Sequence, residues 1–368
     1  MKNVWKLVRN FIILAIPLIV MCVYTFFCPM YFMATEYSMW QEEKEYVKGG
    51  EDADILILGD SRAKSGIIPE LLMSQDKPSA SQSSAAGNSA SQSSAAENSA
   101  SQSSTAGNND NQSIENGNSD DHTSIYNAAI GGATPIEMYY ALETYLENHK
   151  APEKIILIFA PYHMCDIDNW EQTLYYNYLS VPQEMKVYCE AVKLGEEKIA
   201  YKWAPCSMLS YKLRLPNKFL SAQYNAGFFK RYDENMKKKN AVIADKGYTV
   251  FGTDNGNSGL SYEVHHKEFD YSELVVSYYK RLLELMEKSN TKVYIIQSPV
   301  NTESFEKITP EFKKGYADML NELTDGKDFY VETELFPYDN KYFGDNNHLN
   351  RSGAEVFTAA VREIVKDN

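Results

Sequence analysis

The chain has 368 residues, with 50 acidic against 36 basic side chains and a formal net charge of −14 at neutral pH. A surface this acidic repels polyanions, which argues against nucleic acid as a partner. With a hydrophobic content of 44% and an aromatic content of 13%, the chain can bury one large core, and most of its tyrosines read as packing residues.

The amino end reads as a membrane anchor. Lys2, Lys6 and Arg9 precede an apolar run over residues 11–33, which contains Pro17 and Pro29 and closes before Glu36. The run reaches the ~20 residues needed to cross a bilayer, and a proline is tolerated inside such a helix. Basic residues on its amino side place residues 1–10 in the cytoplasm and everything after about residue 35 outside. No small-x-small cleavage site precedes Glu36, so the segment is expected to stay attached. Residues 34–52 then form a juxtamembrane segment, and residues 53–366 form the folded domain. Cys22 and Cys28 belong to the anchor. Beyond it Cys165, Cys189 and Cys206 allow at most one intrachain disulfide, and no C-x-x-C pair suggests zinc or redox chemistry.

Residues 55–58 are a run of Ile and Leu that predicts a strand buried on both faces, followed by a sharp turn at Gly59-Asp60-Ser61. A short helix is expected over 67–72. Residues 79–108 are a tandem ten-residue repeat of Ser, Ala, Gln and Asn with none of the large apolar residues a solenoid needs. The stretch 74–123 is therefore expected to be a disordered surface loop. A short strand near 125 ends at Gly131-Gly132, and Thr134-Pro135-Ile136-Glu137 carries a capping box for a helix to about residue 149. Residues 154–160 predict a third buried strand.

Residues 162–262 read as helical segments, among them 183–194 and 228–241, joined by irregular loops, and are expected to form a lid or recognition insertion. Strand and helix then alternate again: a helix from 272, a strand over 292–297, a helix opened by Thr309-Pro310 and closed by Gly326, and a last strand over 329–331. Ser352 and Glu355 suggest a capping box for the final helix.

Ser61 stands at the carboxyl edge of the first strand, where open α/β folds place their chemistry. Asp345 stands three residues before His348, so one loop presents both groups. A serine hydroxyl needs a neighbouring imidazole to take its proton, and that imidazole needs a carboxylate to orient it. The glycine pair at 131–132 can offer backbone N–H groups to an anion.

Taken in order, the G-D-S at Ser61, the N-A-A-I-G-G-A-T run at 127–134 and the D-N-N-H at 345–348 resemble the SGNH, or GDSL-like, hydrolase superfamily. The resemblance covers residues 53–64, 125–160 and 292–366. It implies a flavodoxin-like three-layer α/β/α sandwich with a five-stranded parallel sheet, interrupted by the loop and the insertion. It also implies Ser61 as nucleophile, His348 as base, Asp345 as the orienting acid, and Ser61 and Gly132 N–H groups as the oxyanion hole. The family's third block usually supplies an asparagine, and here that strand runs into Ala160-Pro161-Tyr162-His163 instead. Asn169 and Asn301 are candidate auxiliary donors in its place. This departure is similar to membrane-anchored members that act on envelope polymers, such as alginate O-acetylation and teichoic-acid D-alanylation proteins.

The implied function is an extracytoplasmic serine esterase or O-acyltransferase working through an acyl-Ser61 intermediate on an envelope glycan or polymer. A membrane-bound acyltransferase is a candidate partner. The competing reading is a non-catalytic envelope protein that keeps the fold to bind glycan or such a partner. No cofactor or metal is expected: His265 and His266 sit in a polar stretch that reads as a solvated loop, and Asp166 with Asp168 are too few for a calcium loop.

Overall fold

The computed structural model describes residues 2–73, 123–167, 170–213 and 227–367. The ten-residue repeat, residues 74–122 of the loop expected over 74–123, and Asp168 and Asn169 lie outside them. Five strands form one parallel sheet: β1 (Ile55–Gly59), β2 (Ile125–Asn127), β3 (Lys154–Ile158), β4 (Lys292–Ile295) and, after the two-residue β5 (Val300–Asn301), β6 (Phe329–Val331). Their order is β2-β1-β3-β4-β6, the 2-1-3-4-5 sequence of a doubly wound sheet. A short β7 (Pro337–Tyr338) pairs with β5 outside it.

Because successive strand side chains point to opposite faces, each run of Ile, Leu and Val feeds two cores. Leu56, Leu58, Ile155, Leu157, Val293 and Ile295 enter one core, shared with α5 (Pro135–Asn148), α11 (Glu273–Lys288) and α13 (Pro310–Thr324). Ile55, Ile57, Ile156, Ile158, Tyr294 and Ile296 enter the other, covered by Ala63 of α3 (Ser61–Gly66), Leu72 of α4 (Pro69–Met73) and Phe357, Val361 and Val365 of α14 (Arg351–Asp367). The helices between these follow the chain as α1 (Lys2–Phe27), α2 (Glu36–Gly49), α6 (Trp170–Tyr175), α7 (Val181–Lys193), α8 (Glu197–Trp203), α9 (Pro205–Leu213), α10 (Phe228–Ala244) and α12 (Thr302–Lys307). Among the described residues no helix is long and apolar enough to cross a membrane.

Three expectations change. The segment 34–52 is not a mere spacer: α2 buries Tyr37, Trp40, Tyr46 and Val47 in the first core, so the domain begins well before residue 53. Loss of a buried Trp of this kind costs ~3–5 kcal/mol. The insertion is not a detachable lid, because Leu174, Tyr176, Val187, Ala191 and Trp203 belong to that same core. Thr173 Oγ1 also donates to Glu137 Oε1 at 2.6 Å, tying α6 to the capping box of α5. At the start of α14 the cap is Asn350, whose Oδ1 accepts from Gly353 N at 3.0 Å; Ser352 lies inside the helix, and Glu355 pairs with Arg351. Cys165, Cys189 and Cys206, like Cys28, are free.

A fully buried contact between two titratable groups joins α2 to α3, with Glu43 Oε1 against Lys64 Nζ. Burial pushes the Glu43 carboxyl up to about 8, against the pull of Lys64. The folded chain thus holds a proton on Glu43 that the unfolded chain releases near pH 4.5. Its contribution to stability is full below that value and is lost as pH rises towards 8. Lys64, lowered by the same burial, adds the opposite slope at more alkaline pH. The melting temperature of wild type relative to Glu43→Gln is therefore expected to fall from mildly acid pH to about pH 8. A difference that stays constant across that window would show that Glu43 binds no extra proton on folding.

Candidate active site

β1 ends in Gly59 at φ +142°, where an added Cβ would lie 1.8 Å from the Ile158 carbonyl oxygen. Only glycine lets β1 turn this close to β3. The next residue, Asp60, caps α3 by accepting from Arg62 N at 2.8 Å, and its other oxygen accepts from Ala160 N at 2.7 Å. One buried carboxylate thus locks the ends of β1 and β3 together and presents Ser61 at the first position of α3. This is the point where the strand order reverses, the usual ligand crevice of such sheets.

His348 Nε2 lies 2.7 Å from Ser61 Oγ, and His348 Nδ1 lies 2.7 Å from Asp345 Oδ2. The structure thereby brings together Ser61, His348 and Asp345. Asp345 Oδ1 accepts the N–H groups of Asn347 at 2.8 Å and His348 at 2.7 Å, so the acid folds its own loop around the base. Burial would raise the Asp345 carboxyl, but the His348 contact and these two backbone donors override it and hold the pKa below the ordinary value. Asp345 is therefore ionised when the imidazole needs a charge partner.

Pairing between the edges of β2 and β1 continues past β2, with Ala128 N donating to Ile57 O at 2.9 Å and Ile130 N to Gly59 O at 3.0 Å. Gly132 and Ser61 each follow this last bonded pair by two residues. Gly132 has φ +77°, which turns the backbone back and suits glycine. Neither its N–H nor that of Ser61 has a hydrogen-bond partner among the described residues. Asn127, just before, donates to the carbonyls of Ala63 and Ile67 at 3.0 Å each and fixes α3 from below.

The candidate auxiliary donors divide. Asn169 lies outside the described residues. Asn301 is not a free donor: it is buried, its Oδ1 caps α12 by accepting from Ser304 N at 2.8 Å, and its Nδ2 donates to Gly259 O at 2.9 Å and Asn346 O at 3.3 Å. It steadies the loop that carries Asp345 and His348 and has no hydrogen left for an oxyanion.

Arg62, Glu263 and Phe251 escaped the sequence reading. Arg62, next to the nucleophile, is 2% exposed and donates from Nη2 to Glu263 Oε2 at 2.8 Å and to Asn347 Oδ1 at 3.2 Å. It links the helix that begins at Ser61 to the loop that carries Asp345 and His348. Burial opposes its charge, yet the buried Glu263 carboxylate raises its pKa further. His163 is buried beneath the turn with Nδ1 2.8 Å from Asp60 Oδ2, close but out of hydrogen-bond alignment. Against burial, which raises it, the nearby His163 imidazole, the Arg62 guanidinium and the Ala160 N–H keep Asp60 below its ordinary pKa. Phe251 lies over the His348 ring, with centroids 4.9 Å apart, and against Gly131. Of the expected insertion, then, the stretch around residue 251 borders the site, held by Thr249 N donating to Lys64 O and Asp254 N to Gly344 O. Among the described residues no cluster of His, Cys, Asp and Glu is grouped to hold a metal ion.

A model of a family without a functional description matches residues 218–368. That span is less than half of the chain and takes in Asp345 and His348 but not Ser61. No curated protein and no solved structure matches the chain.

Proposed function

We propose that the protein is a serine esterase or O-acyltransferase that forms an acyl-Ser61 intermediate, held at the outer face of a membrane by α1 and acting on an envelope glycan or polymer. The observation that carries this reading is the chain of two 2.7 Å contacts from Ser61 through His348 to Asp345, across 287 residues of sequence. A binding scaffold needs none of these three groups aligned.

In the first half-reaction His348 Nε2 takes the Ser61 proton as Oγ attacks the ester carbonyl. The N–H groups of Ser61 and Gly132 receive the negative charge on the carbonyl oxygen, and Asp345 balances the charge on the imidazole. His348 then returns the proton to the departing alcohol. In the second half-reaction it takes a proton from water or from a glycan hydroxyl, which attacks the acyl group, and returns that proton to Ser61 Oγ as the acyl–Oγ bond breaks. Water gives an esterase and a sugar hydroxyl gives a transferase. With no third-block asparagine, the hole has two backbone donors; a missing donor typically costs ~3 kcal/mol of transition-state stabilisation.

The membrane reading is carried by the sequence, since no described helix is by itself long and apolar enough to cross: it rests on the apolar run over residues 11–33, on the basic residues before it, and on the exposure of Phe11, Ile12, Ile13, Leu14, Ile16 and Ile19 along α1. The envelope substrate rests on that placement and on the resemblance of the three blocks. The test is turnover of an acetyl ester with and without glycan acceptors, comparing wild type with Ser61→Ala. Turnover by wild type alone is expected, and acceptor-dependent product would distinguish transfer from hydrolysis. If wild type is as inert as the variant with every donor and acceptor, the protein is a binding scaffold.

A further inference from the structure

The exit of α1 leads directly into the folded domain. One residue after Phe27 the chain makes a short 3-10 turn over Pro29–Tyr31, and α10 packs on this turn and on α2. Asn235 of α10 makes the clamp: its Nδ2 donates to Met30 O at 2.7 Å and Met33 O at 3.1 Å, and its Oδ1 accepts from Ser38 Oγ at 2.7 Å. The first turn of α10 therefore has a fixed position beside the end of α1. There the Tyr31 ring stacks on Tyr232, with centroids 4.6 Å apart and planes 22° apart, and meets Phe229 edge-on at 6.5 Å. Phe229 nonetheless remains 80% exposed, and Lys230 beside it has its side chain 72% exposed.

From this geometry we infer that the first turn of α10, with Phe229 at its tip, is a second membrane contact that docks at the boundary between lipid headgroups and hydrocarbon. The inference rests on the reading of α1 as a membrane anchor. If α1 spans, Tyr31 lies four residues past its end, inside the headgroup layer, which is ~5–7 Å deep on each side of the core. A ring 6.5 Å from Tyr31 on a clamped helix then stays within about one depth of that layer from Tyr31. Aromatic rings prefer that layer, and an adjacent lysine can lay its stem along it while the ammonium reaches the phosphates. Two contacts fixed to one rigid base would stop the domain from swinging on its anchor.

The experiment uses the full chain carrying p-benzoylphenylalanine at position 229, reconstituted in phosphatidylcholine–phosphatidylglycerol vesicles with a clickable acyl chain. The same residue at position 356, exposed on α14 across the sheet, is the control, and an alkaline carbonate wash reports the anchor separately. The expected result is retention through the wash with several-fold more lipid adduct at 229 than at 356. Retention with equal adduct at both positions would overturn the docking surface and leave the anchor standing. Loss in the wash with adduct still at 229 would overturn the anchor but support the surface, and loss with no adduct would overturn both.

Discussion

Alanine at Ser61, at His348, or at both is expected to lower ester turnover by nearly the same factor, roughly 10⁴–10⁶. The reason is that the proton relay works as a unit. With the 2.7 Å contact between Ser61 Oγ and His348 Nε2 broken from either side, the hydroxyl remains un-ionised and the other group has no proton to move. Asp345→Asn should cost less, since its Oδ1 can still accept the loop's two N–H groups and keep the ring beside Ser61, while the ring loses the carboxylate that sets its tautomer and balances its charge. The losses are read as kcat at saturating ester, with the melting temperature of each variant as a control for folding. Additive losses, with the double variant far below either single one, would mean that the two residues act in separate steps and do not form a relay.

The largest expected effect on stability belongs to Arg62→Met. Methionine fills much of the space but leaves Glu263 buried without its cation and Asp60 with one fewer neighbouring positive charge. Removing one partner of a buried ion pair costs ~3–5 kcal/mol. At roughly 2–4 °C per kcal/mol for a domain of this size, the melting temperature should drop by roughly 6–20 °C. Arg62→Met combined with Glu263→Gln should recover part of that loss, because no uncompensated charge remains. A single variant that melts within a degree of wild type would show that Glu263 accepts a proton or reaches water, and that Arg62 is not its counter-ion in the sense argued above.

The parts of this molecule that could be read from sequence are those whose signal is local. Residues 55–58, 155–158 and 293–295 are short apolar runs, Ile, Leu and Val with one Tyr, of the kind buried on both faces, and each became part of a strand of the parallel sheet. The Thr134 and Glu137 capping box and Gly326 likewise marked real helix ends. In α2, charge hid the helix: Glu36, Glu42 and Glu43 mark the end of the apolar run, and residues 34–52 read only as a juxtamembrane segment. Yet Tyr37, Trp40 and Val47 keep helical spacing and enter the core, and Glu43 is buried against Lys64.

At the site, D-x-x-H and G-D-S could be read because each is a short motif on one turn. Arg62, Glu263 and Asn301 could not, because their partners lie 201, 201 and 42 residues away in loops with no periodicity. An arginine directly after a candidate nucleophile, in a turn that packs on a sheet edge, is the one local hint that a buried counter-ion would be needed. The caps at α12 and α14 illustrate the same limit. Asn301 and Asn350 cap helices while also bonding distant carbonyls, and sequence registers neither their burial nor those second partners.

The central claim is that Ser61 is a covalent nucleophile, and the most direct measurement is intact-protein mass spectrometry after treatment with a fluorophosphonate, with the modified peptide then sequenced. The account predicts one adduct, on Ser61, lost in Ser61→Ala and strongly slowed in His348→Ala. An unmodified wild-type chain under conditions that label a control serine esterase to completion, or an adduct on any other residue, would contradict it.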